Sequence, residues 1–111
     1  MDIKELQDIE VGKIICWNFF MEGLGLGFKT HFFTVKNVEN VKKPEMPDTY
    51  WTEKKEFGPA KKIILEECMK KGKFYLIVPL DWEKEKYIYF ADEKDSFGDK
   101  LEPEDIDFVK L

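Results

Sequence analysis

One histidine, His31, and two cysteines, Cys16 and Cys68, are the side chains here best suited to nucleophilic or soft-metal chemistry. A Cys–His nucleophile needs thiol and imidazole within hydrogen-bond reach. Cys16 and His31 lie on neighbouring strand candidates, so antiparallel pairing can bring them together. Both cysteines, however, sit in apolar stretches, IICWNFF and IILEECM, where free cysteine behaves as a small hydrophobe. The expectation is two buried reduced thiols, a partly exposed imidazole and no catalytic dyad. A structural disulfide is the minor alternative, because no secretory context accompanies the pair.

Metal chemistry is not expected. Cys16, His31 and Cys68 lack the close spacing of zinc ligands. The segment ADEKDSFGDKLE has a glycine and a late glutamate, as a calcium loop does. Lys94 and Phe97 occupy positions where oxygen ligands are needed. Asp92, Asp95 and Asp99, like Asp81, Glu83 and Glu85, read as solvated charge. The glycines of Gly23-Leu24-Gly25-Leu26-Gly27 precede a strand rather than a helix, so they do not form a dinucleotide or phosphate loop. Paired carboxylates such as Glu66-Glu67 and Glu104-Asp105 abound, but a chain this short has little room for the deep cleft that acid–base hydrolysis requires. No cofactor is expected.

Aromatic side chains are the unusual feature: ten Phe, four Tyr and three Trp in 111 residues. In so small a domain some must approach the surface. Tyr50 and Trp51, in a long loop, and Trp82, in a hairpin turn, are the candidate binding residues. Trp and Tyr anchor protein interfaces, and on a small barrel they can stack bases. The alternative is that the loop aromatics fold back to plug the core.

All 18 basic residues are lysine, against 23 carboxylates, for a net charge of -5. Without arginine the chain lacks the planar fork used for guanine and bidentate phosphate recognition. The acidic balance also works against diffuse nucleic-acid affinity. No apolar run reaches the roughly 18 residues of a membrane span, and the first ten residues lack the apolar core of a signal peptide. A cytoplasmic location is expected.

These residues need elements to position them. Residues 1–111 read as one domain. Ile3, Leu6 and Ile9 have helical spacing in a short lead-in. Lys13 to Met21 and Phe28 to Val38 are aromatic, β-branched strand candidates. Asn40 to Phe57, with Pro44 and Pro47, reads as a long loop. The helix is placed at Pro59 to Lys71. Proline suits its first turn, Ala60, Ile63, Ile64 and Cys68, with Met69 beside them, form its stripe, and Gly72 caps it. Lys73 to Leu80 and Tyr87 to Ala91 make a hairpin. Asp92 to Lys100 reads as a loop, Pro103 to Asp105 as a turn or short helical turn, and Ile106 to Leu111 as a last short strand. The fold class is α+β: a small, strongly bent antiparallel sheet or barrel of about five strands with one packed helix. The last 40 or so residues, a hairpin followed by a short helical turn and strand, resemble the tail of SH3-like barrels.

The expected function follows mostly by subtraction. It is a non-enzymatic acidic binding module acting through protein–protein contact, as an adaptor, a subunit or an inhibitor. The inhibitor class includes phage- and plasmid-borne inhibitors of host nucleases, anti-CRISPR proteins among them. The alternative is a nucleic-acid-binding barrel using Lys13, Lys29, Lys36, Lys42 and Lys43 around exposed aromatics. The last strand, as a sheet edge, can also pair with a second copy in a homodimer.

Overall fold

The computed structural model describes residues 1–21, 27–44, 58–93 and 98–109. Its elements are α1 (Ile3–Gln7), β1 (Ile14–Met21), β2 (Gly27–Val41), β3 (Ala60–Glu67), β4 (Lys73–Pro79), β5 (Ile88–Asp92), β6 (Gly98–Leu101), a 3₁₀ turn (Pro103–Asp105) and β7 (Asp107–Phe108). The strands form one antiparallel sheet in the order β6-β5-β4-β3-β2-β1-β7. The first six make a meander, and β7 returns to the far side of β1.

Two lengths force this sheet to curl. A straight strand of β2's 15 residues would span about 50 Å, yet the longest dimension of the molecule is 33 Å. The bend comes at a register shift between Val35 and Asn37, where Lys36 is the extra residue of a β-bulge. Before the shift β2 pairs mainly with β1, and after it with β3. The second constraint is the link from β6 to β7, residues 102–106. It can reach roughly 20 Å, whereas the edges of a flat seven-stranded sheet would lie roughly 29 Å apart. The result is a half-barrel.

The concave face holds the main core. Ile15 and Trp17 of β1, Phe33 and Val35 of β2, Ile63 and Leu65 of β3, Phe74 and Leu76 of β4, and Ile88 and Phe90 of β5 are all buried there. Four of the rings interlock. Trp17 stacks on Phe33 at 4.2 Å and Phe74 on Phe90 at 5.3 Å, while Trp17 meets Phe90 edge-on at 5.1 Å. Such pairs contribute about 0.5–1.5 kcal/mol each beyond their burial. Leu6 of α1 and Ile9 join the same cluster. A capping box, with Asp2 Oδ1 accepting from Glu5 N–H at 2.8 Å and Glu5 Oε1 from Asp2 N–H at 3.1 Å, holds this five-residue helix together. Gln7 Nε2 donates to Pro79 O at 2.8 Å and the terminal amine of Met1 to Ile106 O at 2.8 Å, tying the segment to β4 and to the return before β7.

Three expectations are corrected. The segment expected as a helix, Pro59 to Lys71, is the strand β3. Its Ala60, Ile63, Ile64 and Cys68 fit a helical stripe, but Ile63, Leu65 and Glu67 alternate just as well and are the residues buried on the concave face. A helix of this length is marginal by itself in water, and adjacent isoleucines prefer extended backbone. Between β2 and β4 both edges of the strand find hydrogen-bond partners. The expected helix cap is the β3–β4 turn: Glu67 N–H donates to Gly72 O at 2.7 Å, Lys71 N–H to Glu67 O at 3.0 Å, and Lys71 rather than Gly72 takes the left-handed conformation, φ 58°. The α-helix among the described residues is α1. Second, the polar stretch expected as a loop, Asp92 to Lys100, contains most of β6. Third, the strands among the described residues therefore number seven rather than about five. The other strand positions, the hairpin of β4 and β5 and the short helical turn at Pro103–Asp105 agree with the sequence reading to within a few residues.

Candidate functional site

Pairing register assigns each candidate residue to a face. Trp17 opposes His31 and Cys16 opposes Phe32 across β1 and β2. Opposed residues share a face and consecutive residues do not. His31 therefore lies on the concave face with Trp17, and only 1% of it is exposed. The partly exposed imidazole expected from the sequence is buried. Cys16 lies on the convex face, so adjacent strands place the thiol and the imidazole on opposite sides of the sheet. No Cys16–His31 dyad forms. Burial, and secondarily the Asp107 carboxylate across β7, push the Cys16 thiol above its ordinary value. Its thiolate fraction, and with it its nucleophilicity, is correspondingly low.

On the convex face a row runs from Asp107 of β7 through Cys16 and Phe32 to Cys68. Cys16 opposes both Asp107 and Phe32, and Cys68 N–H donates to Phe32 O at 2.9 Å. Cys68 Sγ lies 3.5 Å from Thr34 Oγ1. Two strand spacings, about 10 Å, separate the cysteines, beyond the roughly 7 Å between Cα atoms that a disulfide allows. Both are free and half-buried rather than buried. Phe32, between them, is 41% exposed, and Met69, in the following turn, is 64% exposed. These two are among the exposed large apolar side chains, with Val11, Leu80 and Tyr87, that the sequence reading did not single out. The signal was present in FKTHFFTV, where His31 and Phe33 share one phase and Phe32 takes the other.

Further along the convex face a second cluster joins Ala60, Ile77 and Tyr89, with Tyr75 packed against it. Lys62 Nζ stands 4.8 Å over the Tyr75 ring and Lys100 Nζ 4.4 Å over the Tyr87 ring. Burial first, then the Glu85 carboxylate and Tyr87, push the Tyr89 phenol up to about 12.

Of the three candidate binding residues, Tyr50 and Trp51 lie outside the described residues, as do Asp95 and the glycines at 23 and 25. Trp82 is half-buried, packs against the main core and has Lys86 Nζ 5.8 Å over its ring. Lys13, Lys36, Lys42 and Lys43 are exposed; Lys13, just before β1, pairs with Val35 beside Lys36, while Lys42 and Lys43 follow the end of β2. On the concave face Glu67 is fully buried: Oε2 accepts from Lys70 N–H, while Oε1 has no hydrogen-bond partner among the described residues. An open groove of about 470 Å³ lies between α1 and the start of β1, lined by Asp2, Glu5, Asp8 and Glu10 together with Lys4 and Lys13. Among the described residues no three His, Cys, Asp or Glu side chains converge as metal ligands, and no helix is long and apolar enough to cross a membrane.

Comparison with protein-family models, with curated proteins and with solved structures returns no match.

Proposed function

We propose that this chain is a binding module that acts by protein–protein contact rather than by catalysis, working in a reducing compartment such as the cytoplasm as an adaptor, a subunit or an inhibitor. The observation that carries this reading is the convex row that crosses β7, β1 and β2 to Cys68. Phe32 leaves large apolar area in water there, between the half-buried Cys16 and Cys68, and Met69 does so in the turn that follows Cys68. Aromatic and methionine side chains are enriched at the centres of protein interfaces, and Met adapts to irregular partners. The concave face, by contrast, is filled by side chains.

A second reading rests on its own observation: Tyr75 and Tyr87 on the convex face, each with a lysine over its ring. That pairing supports stacking of single-stranded nucleic acid. One experiment separates the two. Wild type and Phe32→Asp are immobilised and challenged with an extract of the source cells, then with a mixed oligonucleotide pool at low and high salt. Protein retained by wild type at high salt and lost by Phe32→Asp supports the contact reading. Oligonucleotide retention that collapses with salt and ignores the Phe32 substitution overturns it.

A further inference from the structure

Among the described residues the sheet has an unpaired edge, and its backbone specifies what can occupy it. Successive carbonyls at the start of β1 point opposite ways. Lys13 O accepts from Val35 N–H of β2 at 2.8 Å, and Ile14 O accepts from Val109 N–H beyond β7 at 2.9 Å. With the alternation of an antiparallel ladder, the even-numbered residues of β1 direct their backbone groups away from β2. β7 pairs only with Ile15 and Cys16. The next even-numbered residues, Asn18 and Phe20, are in β1 and in register with β2, but among the described residues no strand pairs with their outer side. Two N–H and two C=O groups are thus left in strand geometry.

Natural sheets guard such edges with lysine, proline, bulges or very short strands. β6, the other edge, is four residues long and carries Asp99 and Lys100. β1 reads IICWNFFM, with no charge and no proline, and its pairing with β2 runs from Ile14 to Met21 without a register shift.

We infer that the outer edge of β1 at residues 18–20 pairs with the same segment of a second copy of this chain, antiparallel about a two-fold axis through Phe19. This deepens the protein-contact reading but does not depend on Phe32. The self-match is specific. Asn18 of one copy faces Phe20 of the other and the reverse, and both residues direct donors and acceptors outward. Each facing pair exchanges two hydrogen bonds, four in all, while Phe19 opposes Phe19 at the intervening position without hydrogen bonds. β7 occupies the edge up to Cys16, so it stops the partner strand beyond the matched segment and excludes registers slipped toward Cys16. An edge that matches itself in an uncharged strand also avoids bringing together the charges of two chains of net charge -5. Closed two-fold dimers of this isologous kind are the commonest assembly.

The test is the mass of the purified chain by light scattering across a range of concentrations, together with site-resolved hydrogen exchange. Wild type should approach twice 13.2 kDa, with the amides of Asn18 and Phe20 exchanging more slowly as concentration rises. Asn18→Pro deletes an N–H that β2 does not use, removes two of the four bonds and should weaken the dimer about thirtyfold. Asn18→Lys, a charge at an exposed edge position, should give a monomer of unchanged circular dichroism. Thr30→Lys, on β2 opposite Asn18 and away from the edge, should leave the dimer intact. A chain that stays at 13.2 kDa at its highest soluble concentration overturns the self-pairing while leaving the capture experiment on Phe32 to decide the contact reading. A dimer that survives Asn18→Lys, or in which the Asn18 and Phe20 amides exchange at concentration-independent rates, overturns the edge as its interface.

Discussion

Replacing Phe33 by alanine should unfold this protein far more readily than the same change at its neighbour Phe32. Phe33 is fully buried, stacks on Trp17 at 4.2 Å and meets Phe74 edge-on at 5.4 Å. Truncating such a ring costs about 3–5 kcal/mol, transfer and cavity terms together. Phe32 keeps 41% of its area in water. Full burial of a phenylalanine contributes about 1.5–3 kcal/mol, so the partial burial of Phe32 limits its loss to about 1–2 kcal/mol, with no closed cavity left behind. Unfolding entropy for a chain of this size is about 0.23 kcal/mol per degree. Phe33→Ala should therefore lower Tm by roughly 13–22 °C and Phe32→Ala by roughly 4–9 °C. Thermal and urea unfolding followed by circular dichroism measures both. If Phe32→Ala proves as damaging as Phe33→Ala, the phase of β2 is wrong by one residue. His31 and Val35 would then face outward, and the assignment of Phe32 to a contact surface would fall with them.

The Tyr89 phenol, pushed up to about 12 from 10.0, makes stability depend on alkaline pH. The unfolded chain ionises this group first, so between those two values it binds fewer protons than the fold and stability drops as pH rises. The contribution is intact below about pH 10, is lost through about pH 12 and amounts to about 2–3 kcal/mol. Tyr89→Phe should flatten urea midpoints across that window, and an unchanged slope would count against burial as the cause. Lys71 holds φ 58° in the β3–β4 turn, a conformation that is strained for an L side chain. Lys71→Gly should raise stability by about 0.5–1 kcal/mol. The ion pair it removes, to Glu66 at 3.8 Å, is mostly solvated on the lysine side and contributes little. A lower urea midpoint in this variant would show that the lysine side chain outweighs the backbone strain.

Local chemistry made much of this protein legible in its sequence. Aromatic and β-branched runs mark β1, β2, β4 and β5, because such side chains fit a pleated, packed surface. Pro103 marks the short helical turn through its preset φ. The alternation of FKTHFFTV separates Phe32 from His31 and Phe33. Alternation fixes phase alone, and which phase faces inward depends on what packs there. Trp17, Phe74 and Phe90, brought together by the curl, put His31 inside and Phe32 outside. The same distinction explains β3. Its residues 60–68 satisfy a helical and a strand period equally, and the choice came from the open edges of β2 and β4 on either side. β6 was hidden because an edge strand of four residues with charged side chains resembles a loop in composition. The reach of residues 102–106 carries β7 to the far edge of the sheet, and the length of β7 decides that β1 keeps two residues' worth of backbone groups without a strand partner among the described residues. Those groups are main-chain atoms, identical in every residue type, so only the assembled sheet distinguishes them.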